Sequence, residues 1–197
     1  LMKIAILGSG AGSNAQAIIN ATDNNQIGNA EIVGIFSDKE NAPILHHAQK
    51  KHIYSKYIYA SQDSCSIEGK DEEVWLNEIK KVNPDLIVLA GFMRILKPKF
   101  INFAKNRIIN LHPSLLPSFP GLNSIKRAFD KRVKITGCTV HWVNESIDDG
   151  EIIAQAPVRI MSGDTLELVK QKVHAAEHML LPWVIKDLSL GVIPFPV

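Results

Sequence analysis

The chain has 197 residues, a length that one large domain can account for, with 46% hydrophobic and 21% charged residues. Its net charge of +2 is too small to favour a nucleic-acid partner, and no apolar stretch approaches the roughly 20 residues of a membrane span. The two cysteines, Cys65 and Cys138, lack a CxxC spacing and indicate neither a disulfide framework nor a zinc site. We therefore expect a cytoplasmic globular protein that uses no metal.

Apolar runs alternate with helical patterns through the first half of the chain, and the polar residues 54–68 between them read as irregular. The predicted strands are 3–7, 31–36, 85–90 and 107–112. The predicted helices are 13–21, 42–51, 68–82 and 98–104. This alternation indicates βαβ units, and hence a Rossmann-like α/β fold with a mostly parallel sheet and helices on both faces.

The pattern changes in the second half of the chain. A short helix is predicted over 125–129, followed by strand-like segments at 134–143 and 151–160. The polar loop between those segments ends in Asp-Gly, a turn signal, so the two strands are predicted to form an antiparallel hairpin. No linker separates the halves, which favours a single domain over residues 1–197.

A long amphipathic helix is predicted at the C-terminus. Asp164 and Glu167 have the spacing of a capping box at its start, and Pro182 is expected to kink or end it. The apolar positions that recur at spacings of three and four are Leu166, Val169, Val173, Ala176 and Leu180.

Asn110 and His112 form the most informative pair in the sequence. They lie two apart at the end of a predicted strand that Pro113 cuts off, so both side chains project to the same face. An amide N–H can hold a developing oxyanion, and an imidazole can take or give a proton near neutral pH. The pair therefore predicts acyl transfer.

A glycine-rich loop, residues 8–14, joins the first strand to the first helix. Ser13 and Gln16 have the spacing of a capping box, which places the helix start near Ser13. A phosphate would lie against the backbone N–H groups of Gly12, Ser13 and Asn14, where the helix dipole also favours an anion.

A dinucleotide site is the alternative for this loop. Gly8 and Gly10 fit the G-x-G-x-x-G fingerprint, but Ser13 stands where the third glycine is required. Asp38, just after the second strand, offers a carboxylate for a ribose. A single phosphomonoester fits the loop at least as well.

The polar loop of the hairpin supplies a carboxylate to act with His112. Either Asp148 or Asp149 is placed to orient the imidazole or an attacking water, and spacing alone does not choose between them. Metal binding is not predicted for the histidines: His46 and His47 are adjacent, and the pair His174 and His178 lacks any supporting motif. His141 is interpreted as a structural histidine that is able to line the site.

Five segments together resemble the phosphoribosylglycinamide formyltransferase family of folate-dependent formyltransferases, over residues 3 to about 188. They are Gly10-Ala11-Gly12-Ser13-Asn14, Ala90-Gly91-Phe92-Met93-Arg94-Ile95-Leu96, Asn110-Leu111-His112-Pro113-Ser114-Leu115-Leu116-Pro117, Pro120-Gly121 and Asp148-Asp149-Gly150. The N-x-H-P-S-L-L-P segment marks the wider superfamily, and the glycine loop with A-G-F-M-R-I-L narrows it to this family.

The resemblance implies transfer of the formyl group of 10-formyltetrahydrofolate to the amine of glycinamide ribonucleotide, without a metal. It assigns the catalytic roles to Asn110, His112 and Asp148, and so selects Asp148 over Asp149. The ribonucleotide would bind at Gly12, Ser13, Asn14 and Glu177. The implied folate contacts, made largely by backbone groups, are Leu89, Met93, Arg94, Ile95, Leu96, Asn110, Val143 and Asp148. The N-terminal half would thus bind the phosphate, and the C-terminal half the folate.

Two relatives within the superfamily are the nearest alternatives. Methionyl-tRNA formyltransferase normally carries a further C-terminal domain for tRNA, and formyltetrahydrofolate hydrolase usually has an added N-terminal domain. A non-catalytic nucleotide-binding module, built on the glycine loop and Asp38, is the alternative from another class. The sequence leaves open whether the chain is a monomer or a homodimer.

Overall fold

The computed structural model describes residues 1–197 and contains one seven-stranded sheet and one two-stranded sheet. The strands are β1 (Met2–Leu7), β2 (Ala30–Ser37), β3 (Ser55–Tyr57), β4 (Ser66–Ile67), β5 (Leu86–Leu89), β6 (Ile95–Leu96), β7 (Ile108–His112), β8 (Ile135–Trp142) and β9 (Ile152–Arg159). The helices are α1 (Ser13–Asp23), α2 (Pro43–Lys50), α3 (Gly69–Val82), α4 (Pro98–Phe103), α5 (Ser124–Asp130) and α6 (Leu166–Ser189). None of the helices is long and apolar enough to span a lipid bilayer.

The large sheet has the strand order β3-β2-β1-β5-β7-β8-β9. Its first five strands are parallel, and β8 and β9 extend it as an antiparallel hairpin. The predicted α/β class, the mostly parallel sheet and the hairpin are confirmed. Because the chain moves to opposite sides of β1 to form β2 and β5, a crevice opens at the carboxyl ends of β1 and β5, where ligands bind in such sheets.

Apolar side chains on both faces of the sheet explain the layered architecture. Along β1, Ile4 and Ile6 belong to a cluster of 30 buried residues that includes α1 and α6, whereas Ala5 and Leu7 belong to a cluster of 16 residues that includes α3 and α4. This alternation follows from the two-residue period of a strand. A strand covered on both faces therefore reads as the continuous apolar run seen in the sequence.

Residues 54–68 contain two short strands that the sequence did not predict. β3 adds to the edge of the large sheet beside β2, and β4 pairs with β6. β3 has three residues and β4 has two, and Ile67 is the one buried residue among them. Backbone pairing rather than an apolar pattern defines them, so periodicity gave no signal.

Both predicted capping boxes are wrong. Gly12, in a left-handed conformation with φ of 76°, is the N-cap of α1, and Ser13 is already the first helical residue. The Gln16 side chain donates instead to Asn20 Oδ1, 2.8 Å away on the same helix. Because the chain enters α1 through a left-handed glycine, no side-chain cap forms at this end.

At α6 the N-cap is Thr165, whose Oγ1 accepts a hydrogen bond from the Leu168 amide at 3.2 Å. Asp164 turns to the preceding loop, where its Oδ2 accepts from the Met161 amide at 2.7 Å and from Lys172 Nζ at 2.6 Å. These two bonds occupy the carboxylate, so the adjacent threonine caps the helix.

α6 also runs through Pro182 to Ser189, so of the two predicted effects of this proline, a kink or an end of the helix, the end is wrong. A proline inside a helix costs about 3 kcal/mol. Here Leu181, Val184 and Ile185 are completely buried in the core around it. Burial of such side chains, each worth about 1.5–3 kcal/mol, offsets that cost.

Candidate active site

β7 places the Asn110–His112 pair at the carboxyl edge of the parallel strands. Asn110 lies opposite Leu89 of β5 on one side and His141 of β8 on the other. Leu111, which points to the opposite face, is buried in the larger core cluster and fixes the strand. Asn110 and His112 therefore share the face that borders the crevice.

His112 and Asp148 lie together although 36 positions of sequence separate them. The distance from His112 Nδ1 to Asp148 Oδ2 is 3.4 Å, and both side chains are at least nine-tenths buried. The other ring nitrogen, Nε2, lies 3.0 Å from the Phe119 carbonyl oxygen. Both ring nitrogens therefore face oxygen atoms, Nε2 within hydrogen-bond distance and Nδ1 at a longer distance.

Two backbone features aim Asp148 at the histidine. Asp148 has a left-handed φ of 53°, and its Oδ2 accepts a hydrogen bond from the Gly121 amide at 2.8 Å. A Cβ at Gly150 would lie 1.6 Å from the Trp142 carbonyl oxygen, so only glycine fits there. The neighbouring Asp149 is exposed. The geometry thus agrees with Asp148, rather than Asp149, as the partner of His112.

His141 completes this arrangement; the sequence analysis interpreted it as a structural histidine that is able to line the site. Its Nδ1 donates to the Trp142 carbonyl at 3.0 Å, which leaves Nε2 to accept from Asn110 Nδ2 at 3.3 Å and to face Asp148 Oδ1 at 3.8 Å. Burial lowers the His141 pKa, against the opposing effects of Trp142 and Asp148. A neutral His141 therefore fixes the Asn110 carboxamide, with its second N–H free for a ligand.

The glycine loop lies at the switch point beside β1. The backbone N–H groups of Gly12, Ser13 and Asn14 donate to no acceptor in the chain. A Cβ at Gly12 would lie 2.8 Å from Ile44 Cα, and the residue has a positive φ, so both space and conformation require glycine. Free amides at the start of α1 form a suitable anion site.

Glu177 of α6 joins this loop. Its Oε2 accepts from Asn14 Nδ2 at 3.3 Å and pairs with His174 Nδ1 at 2.9 Å. Glu177 is 4% exposed, whereas the His174 side chain is half exposed. The structure therefore brings all four predicted ribonucleotide residues to one place and adds His174, for which the sequence analysis had considered and declined only a metal site.

The residues assigned to folate divide into two groups. Leu89 and Leu96 are buried in the smaller core cluster, and Val143 packs against that cluster. Met93 and Ile95 have exposed side chains that are free to meet a ligand. The Met93 amide donates to Ser9 Oγ at 2.9 Å and so ties this segment to the glycine loop.

The Arg94 side chain is not available to a ligand. Its Nε donates to Asp38 Oδ2 at 2.7 Å, and its NH1 donates to the carbonyls of Ser61 and Ser64 at 2.6 and 2.7 Å. The side chains of Arg94 and Asp38 are 6% and 0% exposed. Only the Arg94 backbone can therefore contact folate. The same pairing removes Asp38 as a ribose ligand and argues against the dinucleotide alternative.

Arg94→Met is expected to lower the free energy of unfolding by about 3–5 kcal/mol, since it leaves the buried Asp38 carboxylate without a hydrogen-bonded cation, with only Lys39 Nζ at 4.0 Å. Urea unfolding measures the loss. The double variant Asp38→Leu/Arg94→Met removes both charges and should recover part of the stability, because effects within a contacting pair are not additive. A loss below about 1 kcal/mol in the single variant would contradict this account.

No three or more His, Cys, Asp or Glu side chains are grouped so as to hold a metal ion. His47 Nε2 contacts the Ala11 carbonyl at 3.2 Å, and the buried Nε2 of His178 has no hydrogen-bond partner. Burial lowers the His178 pKa, so this ring is neutral beside Glu177.

Comparison with known proteins gives the class of the protein. The sequence profile of the formyl transferase family matches residues 2–185, and the chain belongs to this family. The phosphoribosylglycinamide formyltransferase of Escherichia coli strain K12 is 40% identical over 190 residues, which cover 96% of this chain and 88% of that protein. The crystal structure of glycinamide ribonucleotide transformylase 1 from Symbiobacterium toebii superposes with a TM-score of 0.90 and 32% identity, covering 97% of this chain and 89% of that one.

A longer relative shows the same segment within a larger chain. The trifunctional purine biosynthetic protein adenosine-3 of Chironomus tentans is 40% identical over 192 residues. That match covers 97% of this chain but only 14% of the length of the trifunctional protein.

Proposed function

We propose that the protein transfers the formyl group of 10-formyltetrahydrofolate to the amine of glycinamide ribonucleotide, giving N-formylglycinamide ribonucleotide and tetrahydrofolate in purine biosynthesis. The observation that carries this proposal is the convergence of Asn110, His112 and Asp148 beside the free amides of the glycine loop. In the reaction the amine nitrogen bonds to the formyl carbon. The bond from that carbon to N10 of the folate breaks, and one proton passes from the amine to N10.

Asn110 is proposed to hold the oxygen of the tetrahedral intermediate. One N–H of its carboxamide is held by His141, so the other is fixed in direction before the substrate arrives. A donor that does not have to reorient stabilises developing charge more than a mobile one does. His112, two residues along β7 on the same face, is placed to donate a second hydrogen bond to the same oxygen.

Asp148 and His112 are proposed to move the proton. Asp148 lies between two imidazoles, 3.4 Å from His112 Nδ1 and 3.8 Å from His141 Nε2. Both distances exceed a good hydrogen bond, so a small shift of the carboxylate, or a water beside it, is enough to engage the attacking amine. The bond from His112 Nε2 to Phe119 holds the ring while Nδ1 exchanges its proton.

The two substrates are proposed to bind on either side of this group. The ribonucleotide phosphate lies on the amides of Gly12, Ser13 and Asn14, and its ribose hydroxyls face Glu177. The pterin lies against the backbone of residues 89–96 and the loop before Asp148, with Met93 and Ile95 at its edge. This assignment keeps the phosphate on the N-terminal half, whereas the folate is contacted by residues 89–96 of the N-terminal half as well as by the Asp148 loop of the C-terminal half.

A direct assay tests the activity. The purified protein is mixed with 10-formyltetrahydrofolate and glycinamide ribonucleotide, and loss of the formyl donor is followed spectroscopically. Donor loss that needs the ribonucleotide supports the transferase. Loss without the ribonucleotide indicates a hydrolase, and loss that needs methionyl-tRNA indicates the tRNA enzyme. Dinucleotide binding without folate binding would favour a non-catalytic module.

We place the protein in the cytoplasm, as a monomer or homodimer that needs no metal. Both cysteines are unpaired, Cys65 at the surface and Cys138 in the core, as is usual in a reducing compartment. Burial raises the pKa of the Cys138 thiol to about 12, so this sulfur stays protonated and takes no part in the chemistry.

Ribonucleotide binding is expected to depend on the charge of His174. Glu177 raises the pKa of this ring above its ordinary value of 6.5, while burial and Lys170 oppose the shift. The positive charge of His174 is therefore present below pH 6.5, and it is lost as the pH rises through the raised pKa of the ring. As the pH rises from 6.5 through that pKa, the ribonucleotide KM should increase by up to about fivefold, which corresponds to the free energy of an exposed ion pair.

The control for this effect is His174→Gln, which keeps a polar contact with Glu177 but cannot titrate. Its ribonucleotide KM should be independent of pH in that window, whereas His46→Gln, at an exposed position of α2, should behave like the wild type. A His174→Gln profile identical to that of the wild type would assign the pH dependence to another group.

A further inference from the structure

The segment Phe119–Asn123, between the N-x-H-P motif and α5, holds both members of the catalytic pair. Its Phe119 carbonyl accepts from His112 Nε2 at 3.0 Å, and its Gly121 amide donates to Asp148 Oδ2 at 2.8 Å. No other backbone groups bond to the side chains of His112 and Asp148. The relative position of the two side chains therefore depends on the conformation of this segment.

That conformation is strained. Phe119, Gly121 and Asn123 have φ values of 52°, 78° and 55°, all in the left-handed region. For residues other than glycine such backbone costs about 1–3 kcal/mol each, and it persists only when neighbouring contacts enforce it. The segment is also exposed over most of its length, so core packing supplies little of that enforcement.

Arg127 supplies these contacts from the last turn of α5. Its NH1 donates to the Pro120 carbonyl at 2.5 Å and approaches the Leu122 carbonyl at 3.5 Å, while its guanidinium lies 5.7 Å from the centroid of the Phe119 ring. Its backbone amide donates to the Asn123 carbonyl at 2.9 Å. One residue therefore contacts four of the five residues of the segment.

The helix that carries Arg127, α5, is anchored in the core. On the same short helix, Ile125 belongs to the larger core cluster, Ala128 is completely buried, and α5 packs against α6. Arg127 itself is exposed and has no acidic partner, so the segment is the only group to which its side chain is bonded.

We infer that Arg127 is a positioning residue, which holds the segment Phe119–Asn123 in the left-handed conformation that aligns His112 with Asp148. Its influence on the rate rests on the proposed formyl transfer, whereas its influence on the segment does not. Arg127 acts through the backbone and touches neither substrate. Loss of the Arg127 side chain should therefore slow the chemical step and leave the ribonucleotide subsite on α1 and α6 unchanged.

The test compares Arg127→Ala with Lys126→Ala. Lys126 is the adjacent exposed cation of α5 and pairs with Asp130 of its own helix rather than with the segment. Arg127→Ala should lower kcat by about tenfold, since small misplacements of catalytic groups cost up to about 100-fold. The ribonucleotide KM should stay within twofold of the wild type, and Lys126→Ala should change neither constant.

Hydrogen exchange of the Gly121 amide, followed by NMR, gives a readout that needs no activity. In Arg127→Ala this amide should exchange at least tenfold faster, with no change in the α5 amides beyond the first turn. Arg127→Lys keeps a cation over Phe119 and one donor for Pro120, so it should restore most of kcat and of the protection.

Unchanged Gly121 exchange in Arg127→Ala would overturn the inference whatever the activity. So would a kcat within twofold of the wild type, or an equal loss in Lys126→Ala. An inactive wild-type protein would refute the proposed function instead, and the exchange data would still decide whether Arg127 holds the segment.

Discussion

Asn110→Ala should lower kcat by about 100- to 1000-fold, the usual cost of removing one oxyanion donor, or about 3–4 kcal/mol of transition-state stabilisation. The loss should fall on kcat and on kcat/KM alike, because the contact forms only as the formyl oxygen becomes negative. Steady-state kinetics with both substrates varied measure the two constants. Turnover near the wild-type value would remove Asn110 from the mechanism.

Two controls separate this effect from damage to the fold. Asn102→Ala removes an exposed carboxamide from α4, a helix that makes none of the contacts of the site, and should leave kcat unchanged. Asn110→Ala also leaves the buried Nε2 of His141 without its donor, so its free energy of unfolding should fall by about 1–3 kcal/mol. A loss of stability without a loss of turnover would show that the carboxamide only supports His141.

His141 links the two effects. Its backbone bond to Trp142 sets which ring nitrogen faces Asn110, and burial keeps the ring neutral, so Nε2 can accept but not donate. An imidazole with that fixed polarity orients the carboxamide with the N–H side toward the histidine and the second N–H toward the crevice. The direction in which Asn110 offers its free N–H to an oxyanion is thus set by His141 on the neighbouring strand β8.

The sequence predicted those parts of the fold and site that local patterns determine. Apolar runs located the strands of the parallel sheet, and the two-residue period placed Asn110 and His112 on one face. The choice of Asp148 over Asp149, by contrast, needed the family resemblance. Spacing could not supply it, because the direction of each carboxylate depends on a left-handed φ at Asp148 and on the approach of Gly150 to Trp142.

The missed features all depend on contacts between distant segments. Thr165 caps α6 because Asp164 is bonded to Lys172, and Arg94 is withdrawn from the ligand surface by Asp38, 56 positions earlier in the chain. His141 faces Asn110 only in the register in which β8 pairs with β7. An exposed Arg127 carries no sequence signal at all, since its importance lies in the carbonyls that it reaches.

Asp148→Ala should lower kcat by about 100- to 10,000-fold, the range for loss of a group that transfers a proton in the transition state. The ribonucleotide KM should change little, because Asn14 and Glu177 lie on other elements. Asp149→Ala is the matched control: it removes the adjacent carboxylate, which is exposed and faces no imidazole, and should leave kcat unchanged. A larger loss in Asp149→Ala than in Asp148→Ala would reverse the assignment. A loss below about threefold in both would mean that no carboxylate of this loop moves the proton, and that His112 carries it alone.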